Sequence, residues 1–132
     1  LQRRRQRQMC IRDRLITATT ENIPVKIVVF NNGNHGMVRQ WQKIFYNSKF
    51  SASELGHVVP DYVKLAESMG AVGLRMIKKS EVKNVFSEML KINDRPVLID
   101  CVVDPEDMVF PMVPAGGSND QIILNEEDLK NL

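Results

Sequence analysis

The chain has 132 residues, 43% of them hydrophobic and 26% charged, with a formal net charge of +2. This length allows one domain with a hydrophobic core, and no apolar run is long enough to cross a membrane. Cys10 and Cys101 show no CxxC spacing, which argues against a disulfide framework and fits a reducing compartment. We expect a cytoplasmic protein, since the arginine-rich amino terminus lacks the apolar stretch of a signal peptide.

The positive charge is confined to the amino terminus. Without residues 1–14, the chain holds 12 basic and 15 acidic residues, a net charge of −3. Residues 4–14 resemble the translation of a transposon-library sequencing adapter, so we interpret residues 1–14 as an artefact and 15–132 as native sequence. The alternative is a non-catalytic module with a basic arm that binds nucleic acid. No aromatic residues interleave the arginines, so we expect no nucleic-acid partner.

Helical and strand-like segments alternate along the chain. Asp61 and Ser80 are candidate N-caps, and the tail after residue 103 is predicted to be loop with a short helix near residues 126–129. The alternation predicts a three-layer αβα domain with a parallel sheet. Three strands are few for such a domain, so we expect a partial domain with an unpaired sheet edge. Helices are predicted over 15–22, 37–46, 60–69 and 80–91, and strands over 25–30, 71–76 and 97–103.

The segment at 31–42, Asn-Asn-Gly-Asn-His-Gly-Met-Val-Arg-Gln-Trp-Gln, directly follows the first predicted strand. Ligands of open α/β sheets bind at the carboxyl ends of strands. The segment offers amide oxygens, glycines that permit close approach and the positive end of a helix dipole. These groups suit a hard cation bound to a phosphate. The alternative is an Asn-Gly turn without a ligand.

Three blocks of the sequence, at residues 25–42, 60–73 and 95–116, resemble the carboxy-terminal thiamine-diphosphate-binding domain of the acetolactate synthase catalytic subunit. Asn31 and Asn32 resemble the end of the thiamine-diphosphate motif, which begins with Gly-Asp-Gly. The stretch from 36 to 42 resembles the part that separates acetolactate synthases from other thiamine-diphosphate decarboxylases. The blocks at 60–67 and 109–114 are also family-like.

This resemblance implies a part of an enzyme that condenses two pyruvates to 2-acetolactate with loss of CO2, or pyruvate with 2-oxobutyrate. These are early steps of valine, leucine and isoleucine biosynthesis. The implied cofactors are thiamine diphosphate and Mg2+, with FAD held mainly by a domain outside this chain. The implied assembly is a homodimer or larger, with a small regulatory subunit as a further partner. The alternative within the same cofactor class is another thiamine-diphosphate-dependent decarboxylase or oxidase.

Residue roles carry over from the resemblance one position at a time. Asn32 resembles the residue whose side chain binds Mg2+, and Asn34 resembles the residue whose backbone carbonyl binds the same ion. His35, Gly36 and Met37 resemble the stretch beside the diphosphate and the thiazolium ring. These five residues are therefore the expected cofactor-binding set.

Met37 and Trp41 resemble the residues that line the substrate pocket, although Trp41 could also be a core residue at helical spacing. Two departures weaken the expected activity. Counting back from Asn32, the Gly-Asp-Gly falls at residues 4–6, so Arg5 stands where the family has a carboxylate ligand, and a guanidinium repels a cation. The family's catalytic glutamate lies in another domain. We therefore expect no catalytic residue in this chain and no activity from the chain alone.

Other candidate sites are disfavoured. A zinc site from Cys10, Cys101, His35 and His57 lacks ligand spacing, and the glycines form no dinucleotide-binding fingerprint. Cys101 alternates with apolar residues and is expected to be a buried thiol. The acidic residues at 104–107 are expected to form a solvated loop.

Overall fold

The computed structural model describes residues 14–56, 59–114 and 116–131. It divides into two compact units, the first from Leu1–Asn31 and Pro60–Val103 and the second from Asn32–Val59 and Asp104–Leu132. No helix of the described part is long and apolar enough to span a membrane.

The predicted helices and strands are all present, with ends that differ by a few residues. The largest differences are two residues, at the end of the first helix and at the starts of the third and fourth helices. In chain order the elements are α1 (Arg14–Thr20), β1 (Lys26–Asn31), α2 (Gly36–Phe45), α3 (Tyr62–Ser68), β2 (Val72–Met76), α4 (Val82–Lys91) and β3 (Val97–Val102). Short 3-10 turns cover Lys79–Glu81, Asn119–Gln121 and Asp128–Asn131.

The first unit is built around a parallel sheet with the strand order β1-β3-β2. Ile99 of the central strand lies in register with Val28 on one side and Leu74 on the other. Every residue of β3 except the last is buried, because a central parallel strand is covered on both faces. Burial on both faces explains why the sequence of β3 is a continuous apolar run and not an alternating pattern.

Alternate residues of β3 face two separate hydrophobic cores, as the two-residue period of a strand requires. On one face, Ile99 belongs to a core with Met89 of α4. On the other face, Leu98 belongs to a core with Leu15 of α1 and Ala66 of α3. Helices therefore cover both faces, and the predicted three-layer αβα fold is confirmed.

Cys101 lies in the first of these cores with 9% exposure. Burial raises the pKa of its thiol. The prediction of a buried free thiol is confirmed, whereas Cys10 lies outside the described residues.

The prediction of Ser80 as the N-cap of α4 is wrong. Ser80 lies inside the 3-10 turn Lys79–Glu81, and α4 begins at Val82. The carboxylate of Glu81 accepts the backbone N–H groups of residues 77 and 78 at 2.9 and 3.0 Å. A charged acceptor makes stronger hydrogen bonds than a hydroxyl, so the acid organises this turn.

The second unit combines α2 with the carboxy-terminal segment. Gln40 of α2 is 4% exposed and its amide pairs with the backbone of Val109, donating to the carbonyl at 3.0 Å and accepting the N–H at 2.8 Å. Met112 and Ile123 form an antiparallel bridge. The short helix predicted near 126–129 is a 3-10 turn at Asp128–Asn131.

Candidate functional site

The candidate site is a short loop that links β1 to α2. The Asn34 N–H donates to Oδ1 of Asn32 at 3.1 Å, and the Asn34 side chain donates to the Asn32 carbonyl at 2.7 Å. Gly33, between them, has a φ of +68°, which favours glycine. The loop is thus the Asn-Gly turn considered above, and it also holds the two proposed Mg2+ ligands close together. An amide oxygen has two lone pairs, so the turn leaves Asn32 able to bind a cation.

A second segment pairs with this loop. His35 N–H donates to the Ser53 carbonyl at 2.8 Å, and Leu55 N–H donates to the Gly33 carbonyl at 3.1 Å. The pairing forms an antiparallel bridge centred on Asn34 and Glu54. We call the paired residues 33–35 and 53–55 the loop clip. Neither of its hydrogen bonds uses the Asn34 carbonyl.

The amino end of α2 suits an anion. His35 occupies the N-cap position without a side-chain capping bond, and the first turn has no acidic residue. At Gly36, a Cβ atom would lie 3.0 Å from Nδ2 of Asn32, so the glycine lets the Asn32 side chain close over the helix end. The positive end of the helix dipole favours the negative charge of a diphosphate. The Asn32 side-chain oxygen and the Asn34 carbonyl oxygen beside it suit the metal ion that accompanies a diphosphate.

The two predicted pocket residues line the same cavity, an open pocket of about 510 Å³. Met37 is 57% exposed, whereas Trp41 is partly buried and its ring lies 4.8 Å from that of Phe45. Tyr46 and Lys49 are also in the wall. Trp41 therefore both packs against Phe45 and lines this cavity, and its role toward a substrate stays a prediction.

Several predicted positions lie outside the described residues, namely 4–6 with Arg5, Cys10 and His57. Among the residues that the structure describes, no three or more His, Cys, Asp or Glu side chains gather into a possible metal site. The candidate ligands in the described part are therefore amide and carbonyl oxygens, those of Asn32 and Asn34.

The first unit contains a polar cluster that was not predicted from the sequence. Asp100 of β3 is 2% exposed and accepts hydrogen bonds from Asn31 Nδ2 and Arg75 Nε, both at 3.0 Å. Arg75 and Asp100 lie in register on adjacent strands. The only signal in the sequence is a single acid inside the most apolar strand.

Arg75 also joins this cluster to the start of α3. Its Nη2 lies 2.7 Å from Asp61 Oδ1, and Asp61 accepts the N–H groups of Val63 and Lys64 at 3.1 and 3.3 Å. The predicted helix cap is confirmed. The pKa of Asp61 is lowered, chiefly by the hydrogen bond from Lys64 and also by Arg75.

An ion-pair cluster centred on Arg39 was also missed. Arg39 Nη1 lies 2.6 Å from Glu54, Nη2 pairs with Glu106, and Lys43 pairs with Glu106 at 3.0 Å. The hydrogen bond from Arg39 is the main cause that lowers the pKa of Glu106. The expectation of a solvated acidic loop is confirmed, since residues 104–107 are exposed. Nothing in the sequence indicated that Glu106 would also have ion-pair partners on α2, far away in sequence.

Comparison with known proteins identifies the family. Residues 7–101 match the family described as "Thiamine pyrophosphate enzyme, C-terminal TPP binding domain"; thiamine pyrophosphate is the same compound as thiamine diphosphate. An "Acetolactate synthase" of Mycobacterium avium is 50% identical over 111 residues, which are 82% of this chain and 18% of that protein. An "Acetolactate synthase large subunit" of Corynebacterium glutamicum is 47% identical over 111 residues, again 82% of this chain and 18% of that protein.

A more distant relative, the "Acetolactate synthase catalytic subunit, mitochondrial" of Aspergillus candidus, is 37% identical over 88% of this chain and 16% of its own length. The chain thus spans less than a fifth of the length of these relatives. The family match covers most of the chain and includes β1, the candidate loop and all of the parallel sheet except the last residue of β3. The chain belongs to the thiamine pyrophosphate enzymes and matches their carboxy-terminal cofactor-binding domain.

Proposed function

We propose that the chain is the carboxy-terminal cofactor-binding part of an acetolactate synthase, which condenses two pyruvates, or pyruvate and 2-oxobutyrate, with loss of CO2. The loop geometry carries the proposal, because Asn32, Asn34 and Gly36 meet at the uncapped amino end of α2. The acetolactate synthase names of relatives that are 47–50% identical support this reaction over others of the cofactor class.

In this proposal the loop binds the metal and the diphosphate. The Asn32 side chain and the Asn34 carbonyl hold Mg2+, which prefers hard oxygen ligands. His35, Gly36 and Met37 place the amino end of α2 beside the diphosphate. Thiamine diphosphate, when bound, supplies a carbon nucleophile and an electron sink for decarboxylation.

Met37 and Trp41 are proposed to form one wall of the substrate pocket. Their apolar surfaces orient the second 2-oxo acid and exclude water from the reacting atoms. The pocket is open on this chain, so its other wall is proposed to come from the remaining domains or from a second subunit. The complete enzyme is proposed to be a cytoplasmic homodimer or larger assembly with FAD and a small regulatory subunit, acting in valine, leucine and isoleucine biosynthesis.

The chain alone is proposed to be inactive. The catalytic glutamate of the family lies in another domain, and Arg5 stands at the position of the carboxylate ligand. Isothermal titration of the isolated chain with Mg2+ and thiamine diphosphate should show no binding at micromolar concentration. Micromolar binding would contradict this part of the proposal.

A chimera tests the function itself. Residues 15–132 replace the corresponding segment of the Mycobacterium avium relative, which supplies the remaining ligands and domains. We expect 2-acetolactate from pyruvate, dependent on Mg2+ and thiamine diphosphate, and its loss in Asn32→Ala. The matched control is Asn93→Ala, an exposed asparagine after α4, which should leave the rate unchanged. Acetaldehyde or acetyl phosphate as the product would favour the decarboxylase or oxidase alternative.

A further inference from the structure

The irregular segment between α2 and α3 needs an external anchor. Three of its non-glycine residues have positive φ values, Asn47 at 50°, Ser48 at 56° and Ala52 at 53°. Such conformations are each unfavourable for a residue with a Cβ and persist where surrounding contacts impose them. The segment nevertheless provides residues 53–55 of the loop clip, so contacts from elsewhere in the unit must hold it.

Two side chains of α2 provide these contacts. The Gln42 side-chain amide donates to the Ser51 carbonyl at 2.8 Å and accepts the Ser51 N–H at 3.3 Å. Arg39 holds the residues on either side, Phe50 and Glu54.

Arg39 lies in the first turns of α2 and its side chain is 12% exposed. The guanidinium lies over the Phe50 ring, 3.9 Å from its centroid, and Nη1 is 2.6 Å from Glu54. Nη2 pairs with Glu106 of the carboxy-terminal segment. One side chain therefore joins α2 to two points of the irregular segment and to a third segment.

The Arg39 contacts lead directly to the candidate metal loop. Glu54, which Arg39 binds, is the residue opposite Asn34 in the bridge of the loop clip. We propose that Arg39 is a positioning residue that, through Glu54, fixes the backbone of residues 33–35 and so the direction of the Asn34 carbonyl. The inference rests on the proposed function for the role of that carbonyl as a Mg2+ ligand.

The chemistry of arginine suits this task. A planar guanidinium binds two carboxylates through different nitrogens while its face stacks on an aromatic ring. A lysine in its place can approach one carboxylate with a single ammonium group. Arg39→Lys should therefore restore part of the anchoring that Arg39→Met removes.

Amide hydrogen exchange of the complete, unliganded chain tests the proposal. The readouts are the amides of His35 and Leu55, which form the loop clip, with the Ile123 amide of the Met112 bridge as an internal reference. In Arg39→Met we expect exchange at both clip amides to rise about tenfold, since local opening becomes easier, while the reference changes less than twofold. Arg39→Lys should give an intermediate rate.

Two further variants separate the clip from general destabilisation. Glu54→Gln replaces the carboxylate that pairs with Arg39 by a neutral amide, at a side chain that is 59% exposed. It should accelerate hydrogen exchange at the same two amides. Lys43→Met removes the other partner of Glu106 and leaves the Arg39–Glu54 pair, so it should not accelerate them. If Arg39→Met does not fold, Glu54→Gln decides the matter alone.

Unchanged hydrogen exchange at His35 and Leu55 in a folded Arg39→Met or in Glu54→Gln would overturn the proposal. Equal acceleration at Ile123, or the same effect in Lys43→Met, would also overturn it, since the anchoring would then be general. Because the exchange is measured without ligand, this test does not depend on whether the chain binds a cofactor. Failure of the proposed function would instead appear as a folded chimera that forms no 2-acetolactate.

Discussion

Gly36→Ala should separate cofactor binding from fold stability, because its effects on the two have opposite signs. Gly36 is the first residue of α2, and alanine is favoured over glycine in helices by about 0.5–1 kcal/mol. The backbone there has no positive φ, so alanine fits the conformation. We therefore expect the free energy of unfolding to stay constant or to rise by up to about 1 kcal/mol.

The same methyl group disturbs Asn32. It would lie 3.0 Å from Asn32 Nδ2, which must then move by a few tenths of an ångström. Mg2+ tolerates little displacement of its ligands, and changes that misplace a ligand typically weaken metal binding by about 10–100-fold. We expect the lower end, about tenfold or about 1.4 kcal/mol, because the Asn32 amide is a flexible end that can partly readjust.

Two assays measure these effects. Thermal unfolding of the isolated chain gives the stability change, and 2-acetolactate formation by the chimera at increasing Mg2+ gives the metal requirement. The control Gly116→Ala has a φ of +81° with no atom within 4 Å. It should lower the stability by about 1 kcal/mol through backbone strain and leave the Mg2+ requirement unchanged. A Gly36→Ala chimera with an unaltered Mg2+ requirement would refute the assigned role of Asn32.

Three further predictions follow from other parts of the chain. Gly73→Ala would place a Cβ 2.6 Å from the Val63 carbonyl oxygen, so urea unfolding should show a loss of about 3 kcal/mol, the upper end for overpacking; a loss below about 1 kcal/mol would contradict the packing of α3 on β2. The pKa of Glu106 is lowered in the folded chain, so its contribution is present above the unfolded value of about 4.3 and is lost as pH falls through the folded value. The thermal midpoint should therefore fall from pH 5 to pH 3, less steeply in Glu106→Gln, and a midpoint that rises on acidification would contradict the ion pairs. Resequencing the source DNA across codons 1–20 without transposon adapters should give Gly-Asp-Gly upstream of residue 15, and a genuine arginine-rich segment would leave the Mg2+ carboxylate missing.

The order of helices and strands could be predicted because its causes are local. The continuous apolar run of β3 has the composition of a strand buried on both faces, and Asp61 caps α3 through bonds to the next few residues. The prediction of Ser80 as a cap is wrong because Glu81, one residue further on, is a stronger acceptor and forms the turn.

The position of the candidate loop was also predictable, since ligand sites of parallel sheets follow strand ends. The supporting interactions were not. Arg75 meets Asp100 only through the register of two strands, and Arg39 meets Glu54 only through the course of an irregular segment. Neither the register nor that course has a local signal in the sequence. The individual roles of Asn32, Asn34 and the pocket residues came from the family resemblance and stay predictions.

The product of the chimera tests the central claim most directly. Residues 15–132, grafted into the Mycobacterium avium relative, should convert pyruvate to 2-acetolactate with dependence on Mg2+ and thiamine diphosphate. Asn32→Ala should abolish the product, and Asn93→Ala should retain it. A folded chimera that forms no 2-acetolactate, or whose activity survives Asn32→Ala, would contradict the claim that this chain supplies the metal and diphosphate site of an acetolactate synthase.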